Sequence, residues 1–186
     1  MSRAHEAPRI PPQTLAYVDA ALRQVGAFLL RPGAPVLGPR RSEAELREIE
    51  RARAIVLPVG YRRLLLEVGD APPPGRGRRW PLHTLAAALA EAEHPERPFP
   101  LTRTLRAGPD PRRPQWAKPL PDGADPLDGT IELAFDGEQV LLVVTGDRAG
   151  QVWRIDAGDD MWPETRHGEA LDALSWLLWQ LESLDR

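Results

Sequence analysis

The chain of 186 residues has no cysteine, which excludes disulfide scaffolds, thiolate metal sites, iron–sulfur clusters and thiol nucleophiles. No apolar run approaches the roughly 18–20 residues needed to span a bilayer, and the opening stretch, MSRAHEAPRIPP, lacks the charged-then-apolar order of a signal peptide. A cytosolic protein with no membrane role is expected. Lysine is nearly absent, Lys118 being the only one among 24 basic residues. Together with 21 prolines and abundant alanine, this bias points to GC-rich coding DNA. The pairs Arg40-Arg41, Arg62-Arg63 and Arg112-Arg113 therefore carry no recognition signal, and no nucleic-acid partner is expected. Catalytic signatures are missing as well: there is no G-x-S-x-G, no phosphate loop ending in Lys-Ser or Lys-Thr, no G-x-G-x-x-G and no H-E-x-x-H. The four histidines, His5, His83, His94 and His167, are scattered. No catalytic residue, metal or cofactor is expected.

What remains is an ordinary globular composition, 42% hydrophobic and 27% charged. A chain of this length forms one domain that buries roughly 70% of the surface its unfolded form exposes. The net charge of -3 is unevenly spread: residues 119–186 carry fifteen acids against four arginines, a balance of -11, while residues 1–118 stand at +8. The C-terminal part is thus a concentrated negative field able to steer a basic partner.

Apolar spacing predicts an amphipathic helix over residues 14–31, with Leu15, Val18, Leu22, Val25 and Leu29 on one face. A second helix starts at Ser42, with Glu45 completing a capping box and Leu46 and Ile49 inward. A third begins at Pro58, carries Tyr61, Leu64, Leu65 and Val68 on one stripe, and stops at Gly69. A fourth covers residues 84–93. Residues 95–129 hold nine of the prolines but also Phe99, Leu101, Leu105 and Trp116, and read as irregular structure anchored on the domain. From Thr130 the period becomes two: a strand ending at Phe135, a tight turn at Asp136-Gly137, an apolar strand over residues 140–144 covered on both faces, and a third over 151–155. Trp153 and Phe135 read as core residues. The chain ends in a helix over residues 169–184. The fold class is therefore α+β, with an antiparallel meander flanked by helices.

Two features bear on function. The last helix places Leu171, Leu174, Leu177, Leu178, Leu181 and Leu184 on one arc, but Trp176 and Trp179 opposite, among Asp172, Ser175 and Ser183. These indoles serve either a second packing surface or an exposed partner anchor. Asp156, Asp159, Asp160, Glu164 and His167 form an acidic group after the third strand. Their order does not fit a calcium loop, which leaves a solvated loop or a contact surface for a basic partner.

Several segments in order resemble the SUKH superfamily of bacterial immunity proteins and yeast cell-wall-assembly regulators: Ser42-Glu-Ala-Glu-Leu46, Leu57-Pro-Val-Gly-Tyr61-Arg-Arg-Leu-Leu-Leu-Glu-Val-Gly69, Trp80-Pro-Leu82, Arg97-Pro-Phe-Pro-Leu-Thr102, Asp125-Pro-Leu-Asp-Gly-Thr-Ile-Glu-Leu133, Leu142-Val-Val-Thr-Gly146 and Gly150-Gln-Val-Trp153. The resemblance divides the chain into an N-terminal extension, residues 1–36, and a SUKH-like domain, residues 37–186. It departs from the family in the short turn at Asp136-Gly137, where many relatives carry a longer glycine-rich stretch, and in the added N-terminal helix. It implies a non-enzymatic module that binds and neutralises a toxin effector, often a nuclease; the alternative it implies is a regulatory scaffold for a self protein. With the acidic C-terminal half, the expected contact residues for a basic toxin domain are Asp136, Glu138, Asp156, Asp159, Asp160, Trp162, Glu164, Trp176 and Trp179.

Overall fold

The structure, a computed structural model, describes residues 15–34, 36–71, 82–105, 120–121, 123–135 and 137–183. The loop expected at 72–75, Trp80, Trp116, Asp136 and Leu184 lie outside these described residues. Four helices come first: α1 (Leu15–Leu29), α2 (Glu43–Arg53), α3 (Val59–Glu67) and α4 (Leu85–Ala90). Ser42 caps α2 as its sequence requires, accepting from the Glu45 amide while the Glu45 carboxylate accepts from the Ser42 amide at 2.7 Å. Thr84 caps the shorter α4, its hydroxyl oxygen accepting from the Ala87 amide. Gly69 ends α3 at a φ of +153°, where an added Cβ would stand 2.6 Å from the Gly38 carbonyl oxygen. The close approach lets Gly38 and Asp70 pair through their backbones.

The sheet is a meander of four antiparallel strands in chain order: β1 (Thr130–Phe135), β2 (Gln139–Val143), β3 (Val152–Ile155) and β4 (Met161–Pro163). The sequence reading reached only three. The fourth is too short to show a period of its own and ends in proline, and its far edge is bridged by Leu105, which exchanges both backbone hydrogen bonds with Met161. Strand β2 separates two cores by alternation. Val140 and Leu142 join the helices in the larger core, while Leu141 and Val143 join Trp153, Ile155, Met161, Phe99, Leu101 and Leu105 on the opposite face. Phe99 meets Trp153 edge-on, with centroids 4.9 Å apart. The described part of the proline-rich segment, through Phe99, Leu101, Leu105 and Leu120, therefore packs on one side of the sheet.

Two corrections concern strands and helix ends. The register of β1 on β2 shifts between Glu132 and Ala134, so Leu133 is an extra residue in a bulge. Beyond it the alternation flips: Leu133 and Ala134 are both buried and Phe135, expected in the core, is 57% exposed. The turn is also longer than the tight one expected, since Phe135 pairs directly with Gln139. At the C-terminus, residues 169–172 are not helical. A small hairpin, β5 (Thr165–Arg166) with β6 (Glu169–Ala170), turns through His167 and Gly168, both at positive φ. Helix α5 (Ala173–Ser183) then starts behind Asp172, whose Oδ1 accepts from the Leu174 and Ser175 amides.

Helix α1 packs against α5 and α3. The Tyr17 hydroxyl donates to Asp172 Oδ2 at 2.6 Å and also contacts the Ser175 hydroxyl, tying the two helices together. Trp176 is wholly buried among α-helical core residues, and Trp179 is half-buried against them. Of the two readings of the indole face, a second packing surface is what the fold uses.

Candidate functional site

The acidic residues expected to meet a partner divide into spent and available groups. Arg154 on β3 is clamped between Glu138, 3.1 Å from its Nη1, and Glu164, which pairs with its Nε. Glu164 is only 7% exposed, so its charge is consumed within the fold. Asp156 is half-buried and organises its own turn, its Oδ1 accepting from the Gly158 and Asp160 amides at 2.8 and 3.0 Å. Asp159 is exposed at a φ of +63° and Asp160 half-buried. Trp162 is half-buried on β4, directly across from Arg154. Trp176 is 0% exposed and presents nothing to a partner. Of the expected contact residues, Glu138, Asp159, Asp160 and Trp162 retain surface beside the turns of the sheet, whereas Asp136 lies outside the described residues.

A second acidic feature sits on the outer face of β1, away from the helices. Among the described residues, the apolar core on this side of the sheet takes side chains from β2, β3 and β4 and none from β1. The outer face of β1 carries a cavity of about 200 Å³. Its walls are the segment after α4, with Glu91, Glu93 and His94; the turn before β1, with Asp125, Leu127 and Asp128; and Thr130, Glu132, Gln139 and Leu141 of the sheet. Five of them are carboxylates, and among the described residues lining the cavity none is lysine or arginine. Local chemistry fixes them: the Asp125 amide donates to Asp128 Oδ2 at 3.0 Å, the Leu127 amide to Asp125 Oδ1 at 2.8 Å, and the Thr130 hydroxyl to the Leu127 carbonyl at 2.7 Å. Glu132 accepts from the Gln139 side-chain amide at 3.2 Å and lies 3.4 Å from His83 Nε2. Asp128 is 4% exposed, yet its Oδ1 accepts no hydrogen bond; the Arg97 guanidinium stands 3.8 Å away.

The sequence reading missed this cavity because its carboxylates come from three separated stretches, and no spacing along the chain brings Glu91 to Glu132. The only local signal was Asp125-Pro-Leu-Asp-Gly, a turn sequence with carboxylates at its first and fourth positions. Chemically the arrangement offers carboxylate acceptors, two of which already face Arg97 and His83. The cavity falls short of the roughly 300–1,000 Å³ typical of small-molecule sites. Among the described residues no three His, Asp or Glu side chains gather closely enough to hold a metal ion, and no helix is long and apolar enough to cross a membrane. Compared with known proteins, the chain matches no family model, no curated protein and no solved structure.

Proposed function

We propose that this protein is a SUKH-like immunity module of the cytosol, which binds a basic toxin domain and neutralises it by occlusion, without catalysis. The observation that carries the reading is the exposed Phe135 at the end of β1, directly opposite Gln139, one wall of the five-carboxylate cavity. An exposed aromatic near a group of carboxylates is the composition of a protein-binding surface, with affinity from the aromatic once it is buried by a partner and rate from the charge. The ordered segments from Ser42 to Trp153 that resemble the superfamily support the same reading, and so does the fold class, helices on one side of an antiparallel sheet.

The register adds continuity. Gln139 pairs with Phe135 on one side and Ile155 on the other, so the turn through Glu138 and the turn through Asp159 and Asp160 lie at the same end of the sheet. The binding face would run from the cavity across that end.

The test is capture of the bound protein from the native cell with the tagged full chain, followed by expression of that partner alone and together with this protein. The expected partner is basic, lethal alone and harmless in company. A partner that is harmless alone overturns the immunity reading and favours a regulatory scaffold for a self protein.

A further inference from the structure

We infer that a groove along α1 is a docking site for a second copy of this chain, and that it takes the end of that copy's sheet where Phe135 and Asp159 stand. The inference goes beyond the immunity reading and does not depend on it.

The groove, of about 790 Å³, is lined by α1, by the segment that follows it and by α3. On α1, Asp19, Leu22, Arg23, Gly26, Leu29 and Leu30 recur at three- and four-residue spacing and so share the face that lines it. Leu30 and Val36 on its walls are 88% and 82% exposed, more than any other large apolar side chain among the described residues. Apolar exposure gathered in one place marks a contact surface. Gly26 is a second and independent observation. A glycine inside a helix is less stable than an alanine because it loses more backbone freedom on folding, and its usual use is to let another group approach the backbone. Within this chain nothing makes that approach, since a Cβ at Gly26 would meet no atom within 4 Å. The fold does not require the glycine; a group from outside, seated against the helix in mid-groove, does.

Charge selects the occupant. Arg63 in the groove is spent on Asp19 and Glu67. Arg23 and Arg40 are exposed there, and among the described residues neither makes an ion pair or a hydrogen bond. The complement of an apolar groove with two unpaired cations is an exposed apolar group close to an unpaired carboxylate, and this chain carries one. Phe135 is exposed and pairs with Gln139, which pairs in turn with Ile155, so it stands at the end of the sheet where the turn through Asp159 lies. Asp159 is exposed, and its carboxylate has no partner among the described residues. A contact of groove against groove would set the arginines of one copy against those of the other. A head-to-tail contact sets them against the acidic end instead, and it repeats from copy to copy.

Sedimentation velocity of the full chain over roughly 10 μM to 1 mM tests the contact. The expected result is a sedimentation coefficient that climbs with concentration at low salt and falls back as salt is raised. Leu30→Asp spoils the groove and Phe135→Asp spoils the opposing end, both at exposed positions outside the core. Each variant alone should stay monomeric. An equimolar mixture should form dimers and nothing larger, because only the intact groove of Phe135→Asp can take the intact end of Leu30→Asp. Gly26→Ala separates docking from a structural role. It should raise the melting temperature of the dilute protein by about 2–4 °C and weaken association about tenfold, since the added methyl group holds the second copy off the helix. A monomer at every concentration, a mixture that fails to form dimers, or association untouched by Gly26→Ala overturns the proposal. The two readings fail separately. A monomeric protein that still neutralises a lethal basic partner removes only this contact, and self-association of a protein whose captured partner is harmless removes only the immunity function.

Discussion

Trp176 brings a large apolar side chain into the core at the expense of one polar atom, since its indole N–H is buried and donates to no acceptor. Truncation to alanine should cost about 3–5 kcal/mol in urea unfolding, as for other large buried aromatics. Trp176→Phe should cost clearly less, because it removes an unpaired N–H along with some packing; equal losses would show that the N–H has a partner. Tyr17 is a different case, since its hydroxyl is used. Burial, reinforced by the hydrogen bond to Asp172, pushes its pKa up to about 12. The folded protein therefore holds this proton more tightly than the unfolded chain, whose tyrosine titrates near 10. The stabilisation is complete below pH 10 and is lost as pH rises through about 12. Urea unfolding of the wild type and Tyr17→Phe should therefore differ at neutral pH by the ~1 kcal/mol of an ordinary hydrogen bond and converge in strong alkali. A difference independent of pH would sink this account.

At the scale of elements, Asp172 joins two structures: its Oδ1 caps α5 and its Oδ2 receives the hydroxyls of Tyr17 and Ser175. Asp172→Ala should lower stability by more than the ~1 kcal/mol of a typical cap, since it also removes the carboxylate acceptor of the Tyr17 hydroxyl. A thermal-melt series with Tyr17→Phe should reveal coupling between the two sites; simple additivity would mean that Tyr17 does not use Asp172. Why some elements were legible and others not follows from how much of each is local. The capping box at Ser42, the stripe of α3 and the two-faced apolar run of β2 are written in neighbouring residues, and each appears where the sequence puts it. The bulge at Leu133 is not written there. Ile131, Leu133 and Phe135 alternate in sequence as an unbroken strand would, and only pairing with β2 turns Phe135 outward. The hairpin through His167 and Gly168 was hidden for a related reason: its strands are two residues each, and its turn lacks the Asn-Gly or Asp-Gly pair that usually announces one.

For the whole molecule, the imbalance of charge was legible but the places where its acids gather were not, because folding pairs some of them with Arg154 and brings others from distant segments around a cavity. The sheet register places the Asp159–Asp160 turn at the end of the sheet that also holds Gln139 of the cavity, giving one negative surface with two kinds of site. Exposed turn charges act at a distance and are screened by salt over about 8–10 Å at ordinary ionic strength, so they govern encounter. Carboxylates inside a cavity act after contact and govern residence. Against the captured partner, reversing Asp159 and Asp160 to arginine should therefore slow association at low salt and flatten its salt dependence, with the dissociation rate little changed. Glu132→Gln should do the opposite, raising the dissociation rate about tenfold with a nearly unchanged association rate. Stopped-flow association at several salt concentrations and dissociation by competitor chase separate the two. If both variants altered only association, the cavity would be one more part of the steering field and the contact itself would have to lie elsewhere on the molecule.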